Sequence, residues 1–254
     1  MKIAVCLKRV PDTESRFTIA PDRVSVDTAG LKFDMSDFDG YALELALRLN
    51  EQQGGGPGEI VVLSLGPEGT QETLRKALSM GADRGIHLAC EVVPFDGLAI
   101  AEALAAELGA GGQNYDLILM GRNATDTGNA TVGPMTAAIL GWPCVTAVSW
   151  LELKEGKGTA HRELEGFTET VEFRLPALLT IDEGIARPRL PSLKGIMAAK
   201  KKPVDSRPAA LGEPRVTVQA MELPPERTGG RIVGEGPEAV PELARLLRDE
   251  AKVL

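Results

Sequence analysis

The 254-residue chain carries 28 Lys and Arg against 36 Asp and Glu, a formal charge of −8. That balance excludes broad nucleic-acid binding, which needs a cationic face, and no apolar run approaches the roughly 18 residues required to cross a membrane. The length suffices for one large core or two modest ones, and the 43% hydrophobic content is ordinary for a globular protein.

The run Ile3 to Leu7 predicts a strand buried on both faces. It begins so early that no secretory signal fits before it, and the expected location is cytoplasmic. A polar stretch broken by Pro11, Pro21 and Gly30 follows. Phe38, Tyr41, Ala42, Leu45, Ala46 and Leu49 then recur at helical spacing up to a stop at Gly54-Gly55-Gly56-Pro57. Further along come a strand at Ile60 to Leu65, a helix carrying Leu74, Ala77 and Leu78, and a strand at Gly85 to Leu88. A helix carrying Leu98, Ala101, Leu104, Ala105 and Leu108 leads to strands at Leu117 to Met120 and Val145 to Trp150, with a helix between them ending near Gly141. Strands alternating with helices predict an α/β fold, a Rossmann-like parallel sheet with helices on both faces.

After Trp150 the pattern changes. Leu151 to Lys154, the Gly156-Lys157-Gly158 turn and the alternating Thr170 to Arg174 predict a β-hairpin extension over about 151–175, before an apolar strand at Ala177 to Ile181. The nucleotide-binding α/β domain is expected over 1–186. From Arg187 the chain turns proline-rich and basic, and 187–254 reads as a C-terminal arm with a last helix placing Val240, Leu243, Ala244 and Leu247 on one face. Such an arm is unusual within a compact monomer and is expected to wrap another subunit. The basic run Lys200 to Lys202 reads as solvated surface.

Ligands of an open parallel sheet bind beyond the carboxyl ends of the strands, where strand order reverses. Three loops leave such ends: Lys8 to Thr13, Ser64 to Gly69, and Gly121 to Pro134. The third carries glycines that let a group approach the backbone, amides opening a helix that suit a phosphate, and Asn129, Thr127 and Thr131 as side-chain donors. Asp126 could cap the helix or accept from a ribose hydroxyl. Read alone, the loop fits a nucleotide cradle or a plain helix cap equally. Neither GxGxxG nor GxxxxGK[ST] is present.

Catalytic patterns are scarce. His87 sits in a strand and reads as a satisfied core histidine, while His161 reads as exposed in a hairpin. Neither has partners at metal-ligand spacing, so no metal is expected. No GxSxG elbow is present. Asp182-Glu183 reads as a solvated pair, and Cys6, Cys90 and Cys144 as buried thiols.

The segments IAVCLKRVPD, LGPEGTQETLRKALSMGADRGIHL, YDLILMGRNATDTGNATVGPMTAAILGWP and PSLKGIMAAKKK occur in one order and spacing that resembles the β (small) subunit of electron transfer flavoprotein. The resemblance implies a non-catalytic electron carrier, paired with an α subunit that holds most of a shared FAD. Electrons would arrive from acyl-CoA and related dehydrogenases and leave to a quinone oxidoreductase, with AMP bound structurally. Carried onto this sequence, the AMP site would involve Cys6, Ser36, Asp37, Phe38, Asp39, Leu65 and, from the third loop, Gly121, Asn123, Asp126, Thr127, Gly128, Asn129, Ala130, Thr131 and Val132. Phe38 matches an aromatic position that approaches the flavin. Leu193, with Ile196 and Met197 behind it, matches the segment that anchors partner dehydrogenases. The alternative for Leu193 is packing under its own helix.

The sequence departs from the family in two places. Thr13 stands where many members carry a tyrosine. In the nucleotide loop Asn129-Ala130-Thr131 resembles the AMP-binding type, whereas Val132-Gly133-Pro134 resembles the electron-bifurcating type, which binds a second FAD there. Asp126-Thr127-Gly128-Asn129 lacks the second acidic residue of the bifurcating pattern, so AMP is the expectation. The alternatives are a bifurcating subunit and a stand-alone adenine-nucleotide-binding protein.

Overall fold

Ile3, Val5 and Leu7 of β1 (Lys2–Leu7) join one apolar cluster while Ala4 and Cys6 join another, so this strand is covered on both faces, as its unbroken apolar run requires. The computed structural model describes residues 1–52, 58–111, 113–225 and 229–254; the expected helix stop at Gly54 to Pro57 lies outside them. Two short strands, β2 (Arg9–Pro11) and β3 (Phe33–Met35), pair antiparallel within the stretch that the sequence suggested was loop. Helix α1 (Asp37–Gln52), β4 (Glu59–Gly66), α2 (Thr70–Met80), β5 (Arg84–Ala89), α3 (Gly97–Leu108), β6 (Leu117–Gly121) and α4 (Val132–Leu140) then alternate as expected.

Strand β7 (Cys144–Lys154) runs without a break through Trp150, where the sequence suggested a boundary, because a register shift between Val148 and Trp150 absorbs the change of pairing. Strands β8 (Lys157–Leu164) and β9 (Phe167–Arg174) complete the hairpins, and β10 (Ala177–Ile181) returns to the sheet interior. The 187–236 stretch is less bare than its composition implied: it contains helix α5 (Leu193–Ala199) and strand β11 (Val204–Pro208). Both escape sequence reading because α5 has only seven residues and β11 is held by backbone pairing to Gly85–Ala89, without side-chain alternation.

All of the strands but β2 and β3, which form their own ribbon, join a nine-stranded sheet in the order β11-β5-β4-β1-β6-β10-β7-β8-β9, parallel except where β8 pairs with β7 and β9. Helices α1 and α2 cover one face through Leu43, Ala46, Leu74 and Leu78, and α3 and α4 cover the other through Leu104, Leu108 and Ala137. This is the expected Rossmann-like α/β architecture. The final helix, α6 (Val240–Asp249), buries Leu246, whereas Val240 and Leu243 of the face read from the sequence stay exposed. Among the described residues no helix is long and apolar enough to cross a membrane.

Candidate functional site

Strand order reverses at β1: the chain moves outward through β4 and β5, then crosses to β6 on the other side of β1. A cleft opens at the carboxyl ends there, lined by Cys6 and Leu7 of β1 and Lys8 directly after it, Leu65 from β4, and Met120, Gly121, Arg122 and Asn123 from β6 and its loop. Asp39 and the Thr127 and Asn129–Gly133 segments close one side, and Val93, Pro94, Phe95, Gly97, Ile100 and Leu104 supply an apolar wall.

Asp39 organises the floor. In the first turn of α1, its carboxylate accepts the Lys8 amide at 2.7 Å and the Gly121 amide at 2.9 Å, which ties the ends of β1 and β6 together. Burial pushes this carboxyl up to about 7, against the opposing pull of those two donors and of the Lys8 ammonium. Burial, with Asp39 beside it, also pushes up the Cys6 thiol, which holds Cys6 in its neutral form. Gly121 is obligatory for this joint, since a Cβ would stand 2.6 Å from Asp39 Oδ1 and 2.7 Å from Phe38 Cβ.

The third loop curls over the cleft through Gly128 and Ala130, at φ +64° and +53°. The Lys8 ammonium reaches Asp126 at 2.7 Å and Thr127 at 3.4 Å, pinning the loop to β1. Helix α4 starts after Thr131 with no side-chain cap, Pro134 has no N–H, and Val132 and Gly133, whose first-turn amides have no intrahelical acceptor, line the cleft. Asn123 Oδ1 is buried and meets no hydrogen-bond donor among the described residues. Such a cleft can take a phosphate at the start of α4, a planar ring against Val93–Phe95, and a donor at Asn123.

Of the residues read from the sequence, Cys6, Asp39, Leu65, Gly121, Asn123, Thr127, Asn129, Ala130, Thr131 and Val132 line this one cleft. Ser36 stands behind it, fully buried, its Oγ accepting the Thr125 amide at 3.3 Å. Asp37 is exposed at the start of α1, and Gly128 serves the turn of the loop. Phe38 is half-buried outside the cleft, where the Arg122 guanidinium lies 5.1 Å from its ring. Sequence reading passed over Arg122, Lys8 as a side chain, and the Val93–Phe95 wall. Only Lys8 and Arg122, each directly after a strand end, carried a signal that could have flagged them.

Four other readings change. Cys6 is buried, but Cys90 is half-buried and Cys144 exposed at the start of β7. His161 is half-buried and stacks on Trp150 with ring centroids 4.4 Å apart. Asp182 is not merely solvated but accepts from Arg122 at 2.8 Å. Lys202 leaves the solvated basic run to donate to the Leu78 and Ala82 carbonyls. His87 is satisfied as expected, between Ser206 Oγ at 3.1 Å and the Gly66 carbonyl at 2.9 Å. Leu193, Ile196 and Met197 are exposed on α5, Leu193 by 78%, so Leu193 does not pack beneath its own helix.

A family model described as the electron transfer flavoprotein domain matches residues 24–211. The chain is 37% identical to electron transfer flavoprotein subunit beta of Syntrophomonas wolfei, covering all of this chain and 98% of that one. It is 38% identical to the subunit of that name from Bradyrhizobium diazoefficiens over the full length of both, and 37% identical to the human one over 98% of each.

Proposed function

The chain belongs to the electron transfer flavoprotein family as a relative of its β subunits, and from that premise we propose that it forms half of a heterodimeric electron carrier with one shared FAD and one structural AMP. The observation that carries the nucleotide reading is the cleft itself: a helix start without a side-chain cap and a buried amide oxygen that meets no donor among the described residues, both in its lining at the strand-order reversal. In this reading the Val132 and Gly133 amides hold the AMP phosphate. Asn123 Oδ1 accepts from a ligand N–H or O–H, which removes its desolvation penalty. Val93, Pro94 and Phe95 exclude water from the base. Cys6, neutral and buried, contributes apolar surface.

FAD supplies the electron chemistry, reversible one- and two-electron redox at its ring system. This chain's contribution is placement. Phe38, with Arg122 against it, offers an aromatic edge towards the α subunit. The arm beyond Pro208, where Val216, Leu223 and Ile232 are exposed, wraps that subunit. Leu193, Ile196 and Met197 dock the acyl-CoA and related dehydrogenases that deliver electrons, and a quinone oxidoreductase receives them. No residue of this chain is assigned a catalytic step, and the proposed location is the cytoplasm.

The test is co-expression with the α subunit, purification, and acid release of bound nucleotides for chromatography. One FAD and one AMP per heterodimer is the expected result. Two FADs without AMP would assign the bifurcating reading, and a colourless complex would return the chain to the class of stand-alone nucleotide binders.

A further inference from the structure

The apolar residues of α5 stand outward because the segment carrying them is pinned at both ends. At its start, Arg189 donates from Nε to Glu44 Oε2 at 2.8 Å and from Nη2 to Glu44 Oε1 at 3.0 Å, and its Nη1 reaches Glu51 at 2.6 Å. The Arg189 amide adds a bond to Glu44 at 3.2 Å, and Arg48 a further one at 2.9 Å. The Glu44 side chain is only 4% exposed; burial raises its pKa, but the bonds from Arg189 and Arg48 outweigh that and hold it below the usual carboxylate range.

At the other end two helices cap each other. Arg75 of α2 donates to the carbonyls of Ala199 at 2.7 Å and Lys202 at 2.6 Å, where α5 ends. Lys202 in turn donates to the Leu78 and Ala82 carbonyls at the end of α2, at 3.0 and 2.5 Å. Cations at helix carboxyl termini satisfy carbonyls that have no intrahelical donor. Between the two ends the α5 backbone lies so close to α2 that a Cβ on Gly195 would collide with the Ser79 carbonyl. With that side of α5 committed, Leu193 and Met197 are 78% and 65% exposed, and Leu190, just before the helix, is 91% exposed. Lys194, Lys200 and Lys201, all exposed, stand within α5 and directly after it.

We propose that Glu44 with Arg189, and Arg75 with Lys202, are positioning residues that hold Leu190, Leu193 and Met197 as a preformed apolar knob with a cationic rim. The inference rests on the docking role given above to Leu193. The occupant it fits is an electron-donating dehydrogenase presenting an apolar pocket edged by carboxylates. A knob fixed before encounter loses little side-chain and loop freedom on docking, so the clamp acts on affinity and not on the electron-transfer step.

The experiment uses the heterodimer with its flavin. Removing Arg189 alone would strand a buried carboxylate, so the variant is the double substitution Glu44→Gln/Arg189→Gln, with Arg75→Gln as a second at the far end and Leu193→Ala as the comparator. A purified acyl-CoA dehydrogenase serves as donor, and hydrogen exchange is followed over residues 190–199. We expect full flavin content, amide exchange in that segment faster by about tenfold, KM for the heterodimer raised by about tenfold, and kcat within about twofold. Unchanged exchange in both clamp variants would overturn the clamp. Faster exchange with unchanged KM, while Leu193→Ala raises KM, would overturn its positioning role alone. Unchanged KM in Leu193→Ala would overturn the docking reading beneath it.

Discussion

The Asp39 carboxylate accepts the Gly121 amide at 2.9 Å, although the two residues are far apart in sequence and belong to different elements. The same carboxylate takes the Lys8 amide. One side chain at the start of α1 therefore stands in for ladder hydrogen bonds where β1 and β6 part to make the cleft. A buried amide without an acceptor costs about 1–3 kcal/mol, and Asp39 spares two of them.

This joint should make stability depend on pH. Burial holds the Asp39 carboxyl at about 7 in the folded chain, above its ordinary value of 3.8. Folding then favours the protonated form. The resulting contribution is fully present below about pH 4 and is lost as pH rises through about 7, at roughly 1.4 kcal/mol per pH unit inside that window. Asp39→Asn removes the titration but sets an NH2 group against one of the two amide donors. Thermal unfolding of both proteins from pH 4 to 7 should show the wild-type advantage shrinking as pH rises. A constant gap across that range would exclude Asp39 as the titrating group.

Gly121→Ala tests the same joint by volume. The added methyl meets Asp39 Oδ1, the Asp39 amide and Phe38 Cβ, all within 2.8 Å. None is the free end of a flexible chain, so the strand end or the start of α1 must shift. Overpacking of this kind costs about 1–3 kcal/mol. The expected result is a lower Tm together with reduced nucleotide content in the purified heterodimer. An unchanged Tm would mean that α1 moves freely against β6.

The architecture was legible because each buried strand is an apolar run and each helix shows its period; Ile3 to Leu7 and Ile60 to Leu65 lie within the observed β1 and β4. Three loops at the carboxyl ends of strands could also be named, and Lys8, Leu65 and Asn129 from them line the cleft. What escaped were interactions made by backbone or by long side chains across the fold. Strand β11 has no side-chain pattern because Val204–Pro208 is held by its ladder to β5. Lys202 looked like one lysine in a solvated run, and only the end of α2 explains it. The Val93–Phe95 wall follows β5 in a segment with neither polar motif nor periodicity.

The uncapped start of α4 gives a prediction separate from stability. Thr131 lines the cleft directly before the Val132 and Gly133 amides, so Thr131→Trp should block the phosphate position. The purified heterodimer should then lose bound AMP while any assembled complex keeps its visible flavin spectrum. Asn123→Ala removes the buried acceptor without adding bulk and should weaken nucleotide retention by about tenfold, the loss of one hydrogen bond at roughly 1.4 kcal/mol. AMP content equal to wild type in Thr131→Trp would move the nucleotide elsewhere.

The lysines around α5 carry the last prediction. The chain as a whole is anionic at −8, so an acidic partner would be repelled by its net charge and drawn to this local cationic rim. Lys194, Lys200 and Lys201 are exposed, which makes their contribution a matter of encounter more than of buried contact. Charges at that distance are screened at physiological salt, where the Debye length is about 8 Å. Lys200→Glu/Lys201→Glu should therefore raise KM for a dehydrogenase most at low ionic strength, leave kcat unchanged, and converge with wild type as salt increases. The Tm should stay within the small range expected of surface substitutions. A KM increase independent of salt would place these lysines in direct contact with the partner, and no increase at any ionic strength would remove charge from the recognition of this knob.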